Sequence, residues 1–357
     1  MRETLLDVEA ALNGLGHRLH FLAGKCLLLT GARGYLGRYV VSAIIEANKR
    51  LSSPCHIIAL DSFITGNADR SEWMNIPNLT FMEHDVRHTL AKDMSLMSTD
   101  PAKRIDFVLH MAGIASPHWY KKMPLETIAV SVDGSRTMLE IAKFHNARYL
   151  FTSSSELYQT ATINPTPESY VGAVPTMTDR SAYDVGKMMG ETLSYVYAQK
   201  GVHTVTLRIF NSFGPGMSEK DRRILPVIAS AMVRGKPVTV FQNRERAAPK
   251  RTYTPVANTL LGLLLVLIEG EKGQVYNVGL DSPEVTVQEL VERIAHVTRR
   301  DVRCTFESPP EHYQTEPLRR CPDITKLKGL GFRPVVDLDT GLKRFADWAL
   351  ATYTGRE

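Results

Sequence analysis

The chain has 357 residues, and at roughly 150 residues per domain this length accommodates about two domains with ample material for a core. Its 43 Lys and Arg stand against 38 Asp and Glu, a net charge of +5 spread along the chain, and 43% of residues are hydrophobic. These values exclude fibrous, disordered and disulfide-scaffold classes, and without a basic block they favour small anionic ligands over nucleic acid.

In chain order, Leu5, Val8, Leu12, Leu15 and Leu19 fall on one helical face ahead of Gly24. The spacing predicts an N-terminal amphipathic helix over 1–24, packed on its own subunit, with a dimerisation seam as the alternative. No signal peptide is expected, because Met1-Arg2-Glu3-Thr4 brings an acid early and no unbroken apolar run follows. Residues 25–30 (KCLLLT), 56–60 (HIIAL), 79–83 (LTFME), 106–110 (DFVLH), 149–152 (YLFT) and 204–209 (TVTLRI) read as strands. Residues 36–48, 124–145 and 183–199 read as the helices between them. Near-continuous apolar strands alternating with helices specify a parallel sheet covered on both faces, the doubly wound Rossmann α/β architecture.

After Phe210 the pattern loosens, since 211–251 are rich in Gly, Pro and Arg. The longest apolar run, 260–268, is about half of what a membrane crossing needs, so it is expected to be a buried helix and no membrane association is expected. From about 283 onward, helices over 285–298 and 339–352 alternate with short extended pieces. The domain expectation is therefore 1–24, then 25–210 plus about 252–280 as the Rossmann domain. A smaller, interleaved α/β substrate domain follows from 211–251 plus 281–357. Cys26, Cys55, Cys304 and Cys321 are scattered without C-x-x-C spacing, which suggests neither a disulfide framework nor a metal site and fits a reducing, cytoplasmic setting.

Thr30-Gly31-Ala32-Arg33-Gly34-Tyr35-Leu36-Gly37 joins the first strand to the first helix. Glycines there allow a tight turn and a close backbone approach to a pyrophosphate, while the helix N-terminus supplies oriented N–H groups. Asp61, ending the second strand, is placed to accept hydrogen bonds from ribose hydroxyls and to repel a 2′-phosphate, so NAD is favoured over NADP. Arg33 in the same loop is the opposing signal.

Tyr183 and Lys187 share one helix face at i, i+4 spacing. A phenol with a pKa near ~10 is a poor base at neutral pH, and a neighbouring ammonium lowers that value toward the operating range. Thr152-Ser153-Ser154-Ser155-Glu156-Leu157-Tyr158 ends a buried strand upstream, at the carboxyl edge where such sheets bind ligands.

The G-x-x-G-x-x-G spacing, with Tyr183-x-x-x-Lys187 and the Ser154 strand end, resembles the extended short-chain dehydrogenase/reductase superfamily, in its nucleotide-sugar branch. That resemblance implies cofactor contacts from Gly31, Arg33, Gly34, Tyr35, Leu36, Gly37 and Asp61. It adds Asp85 and Val86 in His84-Asp85-Val86-Arg87, Ala112 in His110-Met111-Ala112-Gly113, and Tyr183 and Lys187 themselves. It also implies that Ser154 binds the substrate oxygen, Tyr183 is the base, Lys187 tunes it, and the protein is a homodimer through the 124–145 and 183–199 helices.

Ser155-Glu156 supplies one carboxylate where 4,6-dehydratases carry an Asp-Glu pair and 4-epimerases carry no acid. This resembles the T-S-E-V-Y motif of the UDP-glucuronate decarboxylases, also called UDP-xylose synthases. Ala115-Ser116-Pro117-His118-Trp119-Tyr120 resembles their A-S-P-x-x-Y loop, and Arg180 to Lys187 their R-x-x-Y-D-E-G-K. Arg208-Ile209-Phe210-Asn211 resembles R-I-F-N, Arg251-Thr252-Tyr253 stands at R-x-F, and Arg320-Cys321-Pro322-Asp323-Ile324 at R-x-P-D-I.

Pro117, Tyr120, Ser154, Glu156, Asn211, Arg223, Arg251 and Arg320 are thus the expected contacts of a UDP-linked sugar, with Arg251 also among the catalytic set. The implied reaction is C4 oxidation with NAD, loss of carbon dioxide, C5 protonation through Glu156 and optional C4 re-reduction. The alternatives are a 4-epimerase or 4,6-dehydratase, or a dinucleotide-binding regulatory protein without turnover. Four departures bear on the nucleotide base and the sugar: Gln159 for Gly, Val185 for Glu, Val256-Ala257-Asn258 for V-S-D, and 241–250 (FQNRERAAPK) for a Y-G-x-G-x-Q loop.

Overall fold

Seven parallel strands form the central sheet of the computed structural model, which describes residues 2–65, 73, 75–88, 98–100, 104–242, 247–309 and 317–354. Residues 243–246 of the departing 241–250 loop lie outside the described residues. The strands in chain order are β1 (Cys26–Thr30), β2 (His56–Asp61), β3 (Leu79–Glu83), β4 (Phe107–His110), β5 (Arg148–Ser154), β6 (Thr204–Ile209), β7 (Ser212–Phe213), β8 (Val238–Phe241), β9 (Lys250–Thr252), β10 (Thr254–Pro255), β11 (Gln274–Val278), β12 (Glu284–Val285), β13 (Cys304–Glu307) and β14 (Arg319–Arg320). The helices are α1 (Arg2–Leu15), α2 (Tyr35–Asn48), α3 (Pro117–Lys122), α4 (Pro124–His145), α5 (Ser181–Gln199), α6 (Ile224–Arg234), α7 (Val256–Glu269), α8 (Val287–Thr298), α9 (Thr325–Gly329) and α10 (Leu338–Thr352).

The sheet order is β11-β6-β5-β4-β1-β2-β3. Chain direction across the sheet reverses between β1 and β4, so a crevice opens beyond their carboxyl ends, the place where open α/β sheets bind ligands. Leu27, Leu28 and Leu29 of β1 are wholly buried, with alternate residues supplying the cores on the two faces.

The N-terminal residues pack on their own subunit: Val8, Leu12, Leu15 and Leu19 are buried against α7 and α2, whereas Leu5 is 43% exposed. This cover explains why α7 is apolar all round, since one face meets the sheet and the other meets α1. Among the described residues, no helix is long and apolar enough to cross a membrane.

Several boundaries differ from the sequence expectation. The seventh strand, β11, extends the sheet beside β6 and was not anticipated. Helix α6 lies inside the 211–251 stretch read only as loosened, and it ends on Gly235 in a left-handed conformation. The 285–298 helix begins at Val287 because Thr286 and Glu289 form a capping box, leaving Val285 in β12. A second core, including Phe213, Ile228, Leu290, Ile294, Leu342 and Phe345, unites α6, α8 and α10 over the open end of the sheet.

Candidate active site

The turn after β1 and the turn after β4 close on each other. Gly31 has φ +67°, and a Cβ there would sit 2.7 Å from the Ala112 nitrogen. A Cβ at Gly37 would lie 2.1 Å from the Gly31 carbonyl oxygen, so α2 can start this close to the turn only without a side chain. Thr30 Oγ1 accepts from the Met111 and Ala112 N–H groups at 3.2 and 3.1 Å and is hydrogen-bonded to buried His110 at 2.8 Å. Burial and the charge of Lys187 push His110 down to about 3, so it stays neutral.

Beyond these turns lies a cleft of about 370 Å³, lined in part by Gly31, Gly34, Tyr35, Asp61, Val86 and Ala112. Asp61 accepts from the Arg33 main-chain N–H at 2.7 Å and the Phe63 N–H at 2.8 Å, which fixes its carboxylate at the cleft edge. Arg33 lines the cleft with its guanidinium over the Trp73 ring, 4.7 Å from the centroid. A backbone-lined cradle that a Cβ would fill, ending at a carboxylate beside β2, fits a dinucleotide with a free ribose 2′-hydroxyl. Leu36 and Gly37 support the cleft without lining it, and Asp85 is engaged by Arg87 in a bidentate pair, Nε donating to Oδ1 at 3.0 Å and Nη2 to Oδ2 at 2.6 Å. Burial raises the Asp85 carboxyl, but the Arg87 hydrogen bonds outweigh it and hold the group below its ordinary value.

Lys187 of α5 lies behind Gly113, which lines this cleft. Its Nζ donates to the Thr152 carbonyl at 2.7 Å and stands 3.1 Å from where a Gly113 Cβ would be. Burial lowers Lys187 to about 8. Tyr183, one turn earlier, is stacked on Tyr120 of α3 with centroids 5.4 Å apart. Burial raises Tyr183 to about 12; the Ser154 hydroxyl opposes this through a hydrogen bond, while the charges of Glu156 and Asp184 add to it. The A-S-P-x-x-Y segment is therefore helical, with Pro117 as the first residue of α3, and it brings Tyr120 onto the Tyr183 ring.

Ser154 caps the short turn that follows β5, its Oγ accepting from the Glu156 N–H at 3.2 Å. The cap aims Glu156 away from the sheet, into a ring of arginines. Arg320 donates to Oε1, Arg180 donates to Oε2 at 2.5 Å, and Arg251 contributes a third positive charge. Burial would raise Glu156, but Arg320 and Arg180 overcome it, so the side chain is held as a carboxylate below the usual range.

A three-stranded sheet in the order β12-β9-β14 positions two of these arginines, with Arg251 and Arg320 as register partners. Asn211, at φ +26°, donates to the Thr252 carbonyl at 2.9 Å and pins β9 beside the end of β6. Arg223 lines the same cleft, where its charge stabilises ionised Tyr183, and it is paired with Asp221.

The structure thus brings Ser154, Glu156, Tyr183 and Lys187 together, with Arg251 and Arg320 from the second half of the chain. Three participants were missed as site residues. Arg180 was quoted within a motif, but its contact with Glu156 required the fold. Gln159 was noted only as a departure. Thr152, inside the strand-end hydroxyl run, serves Lys187 through its main-chain carbonyl.

The family described as NAD dependent epimerase/dehydratase matches residues 27–279. The chain is 33% identical over 326 residues to UDP-glucuronic acid decarboxylase 6 of Arabidopsis thaliana, covering 90% of this chain and 88% of that protein. Its fold is similar to that of a UDP-glucose 4-epimerase from Thermotoga maritima, with a TM-score of 0.77, 24% identity, and coverage of 92% and 99% of the two chains. A UDP-glucuronic acid 4-epimerase from Bacillus cereus gives 0.75, 23%, 92% and 100%. The chain belongs to the NAD dependent epimerase/dehydratase family.

Proposed function

We propose that this protein is an NAD-dependent decarboxylase of UDP-glucuronate, forming UDP-xylose or the UDP-4-keto-pentose that precedes it. The observation that carries this reading is the single carboxylate of Glu156, ringed by Arg320, Arg180 and Arg251 beside Tyr183. When bound, NAD supplies a hydride acceptor and a positive ring charge, and Gly31, Arg33, Gly34, Tyr35, Leu36, Gly37, Asp61, Asp85, Val86, Ala112, Tyr183 and Lys187 are assigned to hold it.

Tyr183 takes the proton of the C4 hydroxyl, with Ser154 hydrogen-bonded to the same oxygen. The ammonium of Lys187, held on the Thr152 carbonyl, stabilises the phenolate. Oxidation at C4 makes the C5 carboxylate β to a ketone. Carbon dioxide can then depart with its electrons delocalised into an enolate, stabilised by the hydroxyls of Ser154 and Tyr183.

The arginine ring binds the substrate's own carboxylate. A second anion there takes a share of the arginines, which raises Glu156 and equips it to carry the proton that C5 receives. Pro117, Tyr120, Asn211, Arg223, Arg251 and Arg320 complete the substrate pocket in this reading. The chain divides as 25–210 plus about 252–280 for the cofactor and 211–251 plus 281–357 for the sugar nucleotide, supported by the separate core over the open sheet end.

The assembly in this reading is a homodimer. Leu125 and Ile128 on α4, and Met188, Met189, Tyr195 and Val196 on α5, are exposed on two helices packed side by side. Four free thiols fit a cytoplasmic setting. Incubation with NAD and UDP-glucuronate, followed by nuclear magnetic resonance of the products, tests the function. UDP-xylose or the 4-keto pentose is expected; UDP-galacturonate, or unchanged substrate, overturns it.

A further inference from the structure

Gln159 occupies a backbone conformation that glycine would fill without strain. Its φ is +48° with ψ −127°, a region that residues with a Cβ rarely adopt. The side chain kept there makes two hydrogen bonds, Nε2 donating to the Glu156 carbonyl at 2.7 Å and to Asp184 Oδ2 at 3.1 Å. Asp184 is 1% exposed, its Oδ1 is buried with no hydrogen-bond partner, and its Oδ2 also faces Arg180 Nε at 3.6 Å. Arg180 is the guanidinium that holds Glu156 Oε2. One carboxamide therefore links the Glu156 backbone to Asp184, which faces Arg180, the guanidinium on the Glu156 carboxylate.

We propose that Gln159 is a positioning residue for Glu156: it holds Asp184 on Arg180, so that Arg180 is shared between two carboxylates and does not close wholly on Glu156. This rests on the reading of Glu156 as the group that protonates C5. Glu156 is faced by Arg180 and Asp184 from α5 and its cap, Arg320 from β14, Arg251 from β9, and Tyr183. Asp184 is faced by Arg180, Glu156 and Gln159.

Without the amide, Asp184 loses a bond that favours its ionised form, and burial already pushes that carboxyl upward. The less Asp184 is ionised, the more of Arg180 is left to Glu156 and the weaker the repelling charge beside it, and both changes hold Glu156 more firmly ionised. The same change weakens a charge that raises Tyr183, so C4 oxidation is not slowed. The defect falls on C5 protonation alone.

The experiment compares Gln159→Gly, which relaxes the backbone, with Gln159→Met, which keeps the strain and the bulk but lacks the amide. Single-turnover reactions of the holoenzyme with UDP-glucuronate in deuterated water follow NADH appearance and, in samples quenched with acid in ordinary water, deuterium uptake at C5 over a range of pH. In both variants NADH should form at the wild-type rate or faster, while deuterium uptake at C5 slows by about tenfold, a fraction of the ~10²–10⁴ that a proton carrier contributes. The alkaline limb of the uptake should move to lower pH in both, and Gln159→Gly should melt no lower than wild type. A shift in only one variant, or in neither, overturns the proposal. Glu156→Gln in the same assay separates the two levels. Wild-type uptake in that variant refutes the role of Glu156 itself, whereas slow uptake with wild-type behaviour in both Gln159 variants refutes only the positioning.

Discussion

Arg320 stands next to Arg251 as its register partner across the β14–β9 pair, and its guanidinium closes on the carboxylate of Glu156 at the end of β5. The contact joins the Ser154–Glu156 strand end to the last third of the chain, so the Glu156 carboxylate is held in place only when both parts of the protein are folded together. Arg320→Ala should leave a partly buried carboxylate short of a cation and lower stability at pH 7 by about 1–3 kcal/mol. Glu156 is held below its ordinary value, so this stabilisation is present above the unfolded pKa and fades as pH falls through the folded one. Denaturant unfolding of the two proteins should therefore converge in acid, and a difference that grows on acidification would contradict the assignment.

Lys187 is charged at neutral pH despite burial, at the expense of stability. Its folded value near 8 lies below its ordinary 10.5, so the unfolded chain binds the proton more tightly and stability rises as pH climbs between these values. Lys187→Met should melt higher than wild type at pH 7, lack that rise, and lose at least about a hundredfold in turnover. Thermal melts across the alkaline range check the first two effects, and an unchanged rise in the variant would remove Lys187 as its source.

Two glycines of one turn should differ sharply. A Cβ at Gly37 meets the Gly31 carbonyl at 2.1 Å, whereas at Gly34 the same atom is 3.1 Å away with negative φ. Gly37→Ala should lose NAD binding and stability together, and Gly34→Ala should retain the fold with weaker binding. Calorimetric titration of NAD into the two variants checks the ranking, and equal affinities would contradict it.

Much of this was legible because the first half of the chain encodes its site locally. The glycine turn, Asp61 and the Tyr183–Lys187 spacing each sit within one strand-to-helix unit, where periodicity and turn chemistry act directly. The arginine ring was harder to read. Arg320 and Arg251 meet through strands of two and three residues, too short for a period-2 signal, and Arg180 reaches Glu156 from outside its helix. Helix α6 is hidden by the Gly, Pro and Arg content around it, and β11 by the polar Gln274 and Asn277 that interrupt its apolar pattern at the sheet edge. In the sequence Gln159 is only a mismatch to the motif; its positive φ and its two hydrogen bonds exist only in the fold.

Decarboxylation requires that the C5 carboxyl leaves and that C5 then receives a proton. UDP-glucuronate carrying an isotopic label in its carboxylate, incubated with NAD-loaded enzyme in deuterated water, reports both events at once. Labelled carbon dioxide should appear in step with sugar nucleotide that has lost the label and gained one deuterium at C5. Label retained in the sugar nucleotide, whether epimerised or unchanged, would contradict it.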